Sequence, residues 1–189
     1  RVKGALDHPE SKLNAAVKEI VQEWKDTKAE KLTQVVFLGF GKAGAVSRSV
    51  SATGFSPYAD MKAKLIKAGI PAREIAFIYD VESGADRETL FAQFNKGEVR
   101  ILFGSLEKLG TGTNIQERIS AINHIDGPWT PSKVVQGNAR GVRFGNILVG
   151  MGRPVKVKVF VTERTYDGVI WGMINSKNSF VQKFLKGDV

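Results

Sequence analysis

The sequence contains no cysteine and only two histidines, His8 and His124. Without cysteine the chain can form neither a disulfide nor a thiolate metal site, and this composition fits a reducing cytosol. The two histidines lie far apart, and neither has neighbours typical of a metal site or of a nucleophile–histidine pair. No apolar run is long enough to span a membrane, and the first residues lack the apolar segment of a secretion signal. We therefore expect no metal site and no membrane insertion.

The 189 residues have a formal net charge of +9, and the positive charge is concentrated toward the carboxyl end. Residues 133–187 contain ten lysines or arginines and two acidic residues, which leaves the rest of the chain nearly neutral. A basic surface of this kind suits a polyphosphate partner such as nucleic acid. A solvated basic face is the plain alternative, and charge alone does not decide between them.

Strand-like apolar runs alternate with helical patterns along the chain. This order predicts an α/β fold with an open, mostly parallel sheet and helices on both faces. The predicted strands are 34–39, 75–79, 99–103, 121–125 and 155–161. Serines that can cap helices precede three of the helical segments, namely Ser11, Ser56 and Ser83. We expect a single domain over residues 11–187 after a linker or truncated leader at 1–10, with ligands beyond the carboxyl ends of the strands.

A glycine-rich loop follows the first predicted strand. Residues 39–44 (G-F-G-K-A-G) fit the G-x-G-x-x-G spacing of a dinucleotide-binding turn. Such a turn should open directly into a helix and should have an acidic residue about 20 positions later. Here residues 47–54 are loop-like, and the nearest acidic residue that ends a strand is Asp80. We therefore favour one interpretation, a flexible loop in which Lys42 meets a phosphate, and consider a dinucleotide site the weaker one.

A second loop of small residues, 110–114 (G-T-G-T-N), comes after the strand that ends at Phe103. Small residues let the backbone approach a phosphate closely, and threonine hydroxyls and free N–H groups can donate hydrogen bonds. The sequence contains no G-x-x-x-x-G-K-[ST], the loop that holds the β- and γ-phosphates of ATP with a lysine and magnesium. This chain alone should therefore not be a competent ATPase.

Arg140 and Arg143 stand three residues apart in a predicted short helix, after the strand that leads to Asp126. Arginines at this spacing share one helix face, and each guanidinium can bind phosphate oxygens two at a time. Held at the edge of a sheet, the pair could stabilise the charge that develops during phosphoryl transfer. We expect both side chains to be exposed near the strand tips. Burial of the pair, or a position on the opposite side, would contradict this interpretation, and solubilising surface arginines are the plain alternative.

Taken in order and with their spacing, these segments resemble the second RecA-like lobe of a superfamily 2 helicase of the Swi/Snf-like DNA translocase branch. The resemblance covers nearly the whole chain, from Ser11 to about Lys186. Its motifs are S-K-L at 11–13, Ser105 with G-x-G-x-N at 110–114, D-x-x-W-x-P at 126–131 and Q-x-x-[GA]-R-x-x-R-x-G from 136. The arginine that usually follows the serine is missing, with Glu107 and Lys108 nearby instead. Asn146 replaces the final glutamine of the last motif. That replacement, like residues 70–80, is similar to a subgroup of very large phage- and plasmid-borne proteins that join a helicase to an adenine-methyltransferase-like domain.

The resemblance implies a role for each group of residues. Arg140 and Arg143 would be arginine fingers that reach ATP, which is held with magnesium mainly by an N-terminal RecA-like lobe outside this chain. The residues implied in nucleotide binding and in coupling to lobe closure are Gln136, Gly110, Gly112, Asn114 and Asp126. The residues implied in contacts with the nucleic-acid backbone, DNA in this branch, are Ser105, Lys108, Thr111, Thr113 and Lys42.

Two alternatives from other classes stay open. A nucleic-acid-binding module without a motor role would use the same arginines on the phosphates of the strand itself. A dinucleotide-dependent enzyme would use the loop at 39–44.

Overall fold

The computed structural model describes residues 7–39, 55–109, 113–127, 131–141 and 143–186, with side chains described as far as residue 177. Several residues singled out from the sequence lie outside the described residues, namely Lys42, Gly110, Thr111, Gly112 and Trp129. The rest of the predicted site can be placed on the fold.

Five parallel strands form one sheet, as the alternating pattern predicts. They are β1 Thr33–Phe37, β2 Ile75–Phe77, β3 Ile101–Gly104, β4 Ile119–His124 and β5 Lys156–Val159. Their order across the sheet is β2-β3-β1-β4-β5. Val35 on β1 pairs with Leu102 on one side and with Ile122 on the other. The central strands β1 and β4 are buried throughout, whereas β5 is largely exposed at one edge.

The described helices precede, separate and follow the strands along the chain. They are α1 Lys12–Asp26, α2 Pro57–Lys67, α3 Gly84–Lys96, α4 Leu106–Leu109, α5 Pro131–Asn138, α6 Ile147–Gly150 and α7 Tyr166–Lys186. The hydroxyl oxygens of Ser11, Ser56 and Ser83 each accept a hydrogen bond from the backbone N–H three residues later, which confirms the three predicted caps. None of the helices that the structure describes has both the length and the apolar character needed to cross a bilayer.

Apolar side chains cover both faces of the sheet. On one face α1 and α2 pack on the strands in a cluster that includes Ile20, Tyr58 and Phe103. On the other face Phe94 of α3 joins Val35 and other strand residues in a second cluster. Burial of these two layers is the main source of stability, because each removes large apolar side chains from water.

Each predicted strand differs from the observed one at one or both ends, and β2 and β4 are two examples. β2 ends at Phe77, because Ile78–Asp80 turn into a short 3-10 helix. β4 begins at Ile119, two residues before its predicted start. Periodicity places strands reliably, but their ends depend on pairing with neighbours such as β1, which sequence pattern does not contain.

Candidate nucleotide and nucleic-acid site

The helix that was expected to carry both arginines is shorter than predicted. It ends at Asn138, and the backbone N–H of Arg140 bonds to the carbonyl of Gly137, three residues back. This tighter turn ends the α-helical pattern, so Arg140 and Arg143 follow the helix. The prediction that they share one helix face is therefore wrong.

Arg140 is buried, with only 2% of its surface exposed. Its Nη1 donates a hydrogen bond of 2.7 Å to the backbone carbonyl of Thr113. Burial lowers the pKa of the Arg140 guanidinium, and the nearby charge of Arg143 lowers it further. A hydrogen bond to a carbonyl offsets part of the cost of removing the charge from water. The expected exposure of Arg140 is therefore wrong, because a residue distant in sequence supplies an acceptor inside the fold.

Arg143 is exposed, as predicted. Its neighbour Phe144 is 99% exposed, and Gly145 follows with φ at +95°, a conformation that glycine adopts without steric cost. Residues 143–145 thus form the outer part of a loop whose side chains point away from the core. This loop is the part of the described arginine segment that a ligand outside the domain can reach.

The arginine segment runs along β4 rather than beyond its carboxyl end. Asn138 lies 2.8 Å from Nε2 of His124, the last residue of β4. A Cβ on Gly141 would contact the side chain of Ile122 at 3.1 Å, in the middle of the strand. Asn146 bonds to the carbonyl of Ile119, the first residue of β4. The segment thus starts at the tip of β4 and turns back along the sheet, so the expected position at the strand tips is wrong for Arg140, whose neighbour Gly141 lies beside the middle of β4.

The described end of the glycine-rich loop lies against this segment. Thr113 is 8% exposed, its hydroxyl donates to the carbonyl of Leu109 at 3.0 Å, and its own carbonyl accepts from Arg140. Asn114 is exposed, and its side-chain oxygen accepts from Gln116 at 2.7 Å. We call Thr113, Asn114, Arg140 and Arg143 the arginine group.

Three other predicted residues do lie at the carboxyl ends of strands. Ser105 follows β3, and its hydroxyl accepts a hydrogen bond from the backbone N–H of Lys108 at 3.2 Å. The side chain of Lys108 is exposed. Asp126 follows β4, and its Oδ2 accepts from the backbone N–H of Gly39 at 2.5 Å, which ties the ends of β1 and β4 together. We call Ser105, Lys108 and Asp126 the carboxyl-edge group.

The structure thus separates Asp126 from the arginines, with which the sequence grouped it as a nucleotide-site residue. The six residues of β4 cover about 16 Å, so its two ends expose different parts of the surface. Asp126, predicted to serve the nucleotide, belongs with Ser105 rather than with the arginines. Gln136 is exposed on α5, which lies between the two groups in sequence.

The helix α4, which carries Lys108, packs closely against α5, which leads to Arg140. A Cβ on Gly137 would lie 2.4 Å from the side chain of Leu106 and 3.1 Å from Phe37, so the absence of a side chain permits this approach. At the surface Lys133 of α5 forms an ion pair with Glu107 of α4 at 3.2 Å. The two groups are therefore joined by contacts within the lobe.

Two buried polar side chains near the site were missed by sequence reasoning. His124 is fully buried against the ring of Phe37, and burial lowers its pKa despite the bond to Asn138. Asn146 is 3% exposed and caps α6. Its position before the apolar run 147–149 is an N-cap pattern that could have predicted the cap. Among the residues that the structure describes, no three His, Asp or Glu side chains form a cluster that could hold a metal ion.

Comparisons with known proteins identify the family. The profile described as helicase conserved C-terminal domain matches residues 27–145, and the chain belongs to this family. The match includes the glycine-rich loop and both arginines, and ends one residue before Asn146.

Solved structures show the same fold. The chain resembles the C-terminal part of the Fun30 ATPase domain, with a TM-score of 0.57 and 13% identity over 88% of this chain and 47% of that chain. It resembles the Pyrococcus furiosus Hef helicase domain, with a TM-score of 0.56 and 15% identity over 89% of this chain and 28% of that chain. It also resembles the C-terminal domain of the DEAD-box protein Dbp5, with a TM-score of 0.54 and 16% identity over 91% of this chain and 81% of that chain. The predicted RecA-like fold of a helicase C-terminal domain is confirmed.

One curated relative comes from a phage. The chain is 26% identical over 101 residues to Defense against restriction protein B of Escherichia phage P1. The matched stretch covers 53% of this chain but only 4% of that protein. The chain therefore corresponds to a small part of that relative.

Proposed function

We propose that this chain is the second motor lobe of an ATP-dependent DNA helicase or translocase, and that it presents Arg143 to ATP and magnesium held mainly by an N-terminal RecA-like lobe of the same protein. One observation carries the proposal. Arg143 is exposed in a loop whose base is fastened, through Arg140, to Thr113 at the end of the glycine-rich loop. An exposed guanidinium on a fixed base is what stabilisation of charge on a phosphoryl group requires.

The two arginines take different parts in this proposal. Arg143 is the first candidate for the arginine finger, a group worth about 10³–10⁵ in rate at sites of this kind. Arg140 can act as a second finger only if its side chain leaves the carbonyl of Thr113. With that bond formed, Arg140 holds the Arg143 loop and the glycine-rich loop together. We propose that Gln136, Gly110, Gly112 and Asn114 couple nucleotide binding to lobe closure.

Contacts with nucleic acid would come from Ser105 and Lys108 at the carboxyl edge, together with Lys42 and Thr111. Lys108 is exposed and can neutralise a phosphate. Thr113 is a weaker candidate, because its hydroxyl is already bonded to the carbonyl of Leu109. Contacts of this kind are salt-sensitive and largely indifferent to sequence.

Two relatives of similar fold support a role with nucleotide and nucleic acid. The helicase MrfA has been crystallised with DNA and AMPPNP, and its structure matches 88% of this chain with a TM-score of 0.56. The second helicase domain of Mss116p has been crystallised on an RNA duplex, and it matches 80% of this chain with a TM-score of 0.55. The choice of DNA rests on the Swi/Snf-like motifs of the sequence.

The test uses the intact protein that contains this chain, purified as wild type and as Arg143→Ala. We expect the variant to lose at least about 10³-fold in kcat for ATP, because the charge that stabilises the transition state is gone. Its affinity for duplex DNA should stay within about twofold, because Lys108 and the rest of the carboxyl edge are unchanged.

Arg153→Ala is the matched control, because Arg153 is also an exposed arginine, 47% accessible, and it forms an ion pair with Glu30, which is not in the arginine group. It should keep wild-type kcat. Wild-type turnover in Arg143→Ala would remove the arginine finger from the proposal.

The chief alternative is a nucleic-acid-binding module without a motor role, favoured by the basic carboxyl-terminal part of the chain. In that case the 189-residue chain alone should bind DNA at micromolar affinity, and Arg143→Ala should weaken that binding and reduce its salt dependence. On the motor proposal the same substitution acts on ATP turnover in the intact protein.

A further inference from the structure

The side chain of Asn146 closes the loop that carries Arg143. Its Nδ2 donates to the carbonyl of Gly141 at 2.7 Å and to the carbonyl of Ile119 at 2.9 Å. Its Oδ1 accepts from the backbone N–H of Leu148 at 2.8 Å. One buried amide therefore joins the start of the loop, the first residue of β4 and the start of α6.

The backbone reinforces this closure. The N–H of Asn146 bonds to the carbonyl of Arg143 at 3.2 Å, and the N–H of Ile147 bonds to the carbonyl of Glu117 at 2.9 Å. Gly145, with φ at +95°, reverses the chain so that the side chain of Asn146 enters the fold. The base of the loop is therefore buried and bonded while its tip is exposed.

The described side chains at the tip, Arg143 and Phe144, do not pack on the core. Phe144 is 99% exposed and Arg143 is exposed, so neither side chain fixes the loop against the core. By contrast, Leu148 is 2% exposed and anchors the far side of the base. The direction of Arg143 therefore depends on the backbone at the base, where the Asn146 amide donates to two carbonyls, one of them 27 residues away in the sequence.

We propose that Asn146 is a positioning residue for Arg143. Its amide holds Gly141 and Asn146, on either side of Arg143, at a fixed position on β4, which aims the guanidinium at the phosphate. This inference rests on the proposed function of Arg143 and deepens it.

The test is Asn146→Asp in the intact protein. Aspartate is as good a helix N-cap as asparagine, so it keeps the bond from Leu148 and the start of α6. It cannot donate to the carbonyls of Gly141 and Ile119, and these carbonyl oxygens repel its buried carboxylate, so the loop loses its closure and the fold loses some stability. Misplacement of a catalytic group by about 1 Å can cost 10²-fold, and we expect kcat for ATP to fall about 10- to 100-fold. KM for ATP and affinity for DNA should stay within about twofold.

Asn123→Asp is the matched control. Asn123 is also a fully buried amide, and it donates to the side chain of Gln34 and to the carbonyl of Val35 in the middle of the sheet. Its loss should lower thermal stability without lowering kcat when both are measured below the melting temperature. A fall in kcat that merely follows stability would appear in both variants and would overturn the inference.

The outcomes distinguish this inference from the proposed function. Wild-type turnover in Arg143→Ala would refute the proposed function. Loss of turnover in Arg143→Ala with wild-type kcat in a folded Asn146→Asp would refute the positioning role alone. In the double variant we expect no loss beyond that of Arg143→Ala, and an independent further loss would also refute it. If Asn146→Asp does not fold, Asn146→Ser is tested in its place. Serine keeps a hydroxyl that can cap α6 but is too short to reach the carbonyls of Gly141 and Ile119. Wild-type kcat in Asn146→Ser would also refute the positioning role.

Discussion

Replacement of each arginine by alanine should affect stability very differently. Arg140→Ala removes a buried hydrogen bond from a charged donor to the carbonyl of Thr113, and bonds of this type contribute about 1.5–3 kcal/mol. The variant also regains the free energy spent on burying the charge, so we expect a net loss of about 1–3 kcal/mol in the free energy of unfolding. Arg143→Ala removes an exposed side chain and should stay within about 0.5 kcal/mol of wild type.

The measurements are equilibrium unfolding of the 189-residue chain in urea and thermal unfolding, both followed by circular dichroism at neutral pH. For a domain of this size a loss of 1 kcal/mol lowers Tm by about 2–4 °C, so a mid-range loss for Arg140→Ala should lower Tm by about 4–8 °C. Arg143→Ala should leave Tm nearly unchanged. The slope of unfolding against urea should be the same in all three proteins, which shows that stability alone has changed.

Equal midpoints for the two variants would refute the reasoning, because one side chain is buried and bonded and the other is exposed. A wild-type midpoint for Arg140→Ala would mean that the bond to Thr113 contributes nothing net. A large loss for Arg143→Ala would mean that this side chain also supports the fold, and its assignment as a finger would then lack its structural basis.

Two further predictions concern the scaffold. Gly97→Ala should cost about 2–4 kcal/mol by thermal unfolding, because Gly97 has φ at +75° and a Cβ there would lie 2.4 Å from the carbonyl oxygen of Lys31. Gly84→Ala, where nothing lies within 4 Å, should be neutral or stabilising, and equal losses in both would contradict this. Burial lowers the pKa of His124 in the folded chain. As pH falls, His124 is therefore protonated in the unfolded chain before the folded one. The free energy of unfolding should thus fall below about pH 6.5, by up to roughly 1.4 kcal/mol per pH unit. His124→Asn should reduce this slope while His8→Gln keeps it, and an unchanged slope in His124→Asn would count against the assignment.

The parts of the fold that depend on local pattern could be predicted from the sequence. The caps at Ser11, Ser56 and Ser83 require only a hydroxyl three residues before a backbone N–H, and all three form. The buried strand β1 contains most of the apolar run 35–38 (V-V-F-L), which is typical of a strand covered on both faces. The order of the strands follows from which runs pair, and single-sequence pattern does not contain that information.

The parts of the site that depend on distant contacts could not be predicted. The burial of Arg140 depends on the carbonyl of Thr113, which lies 27 residues away in the sequence. The spacing of Arg140 and Arg143 predicts a shared helix face only if the helix continues, and the 3-10 turn at Arg140 ends it. The cap that Asn146 forms on α6 is local. The bond from Asn146 to the carbonyl of Ile119 depends instead on how the arginine segment runs along β4.

The burial of one arginine and the exposure of the other suit different tasks within the proposed motor. A side chain that must meet a phosphate on another lobe has to leave its own domain, and Arg143 is placed for that. A side chain that links two loops gains from burial, because loss of the bond between Arg140 and Thr113 would leave a charge away from water. On the proposed function, a shift of the Arg143 loop on meeting ATP would reach Thr113, at the end of the glycine-rich loop, through the bond between Arg140 and Thr113. On the proposed function, Arg140 serves the coupling between nucleotide and nucleic acid, and Arg143 supplies the charge.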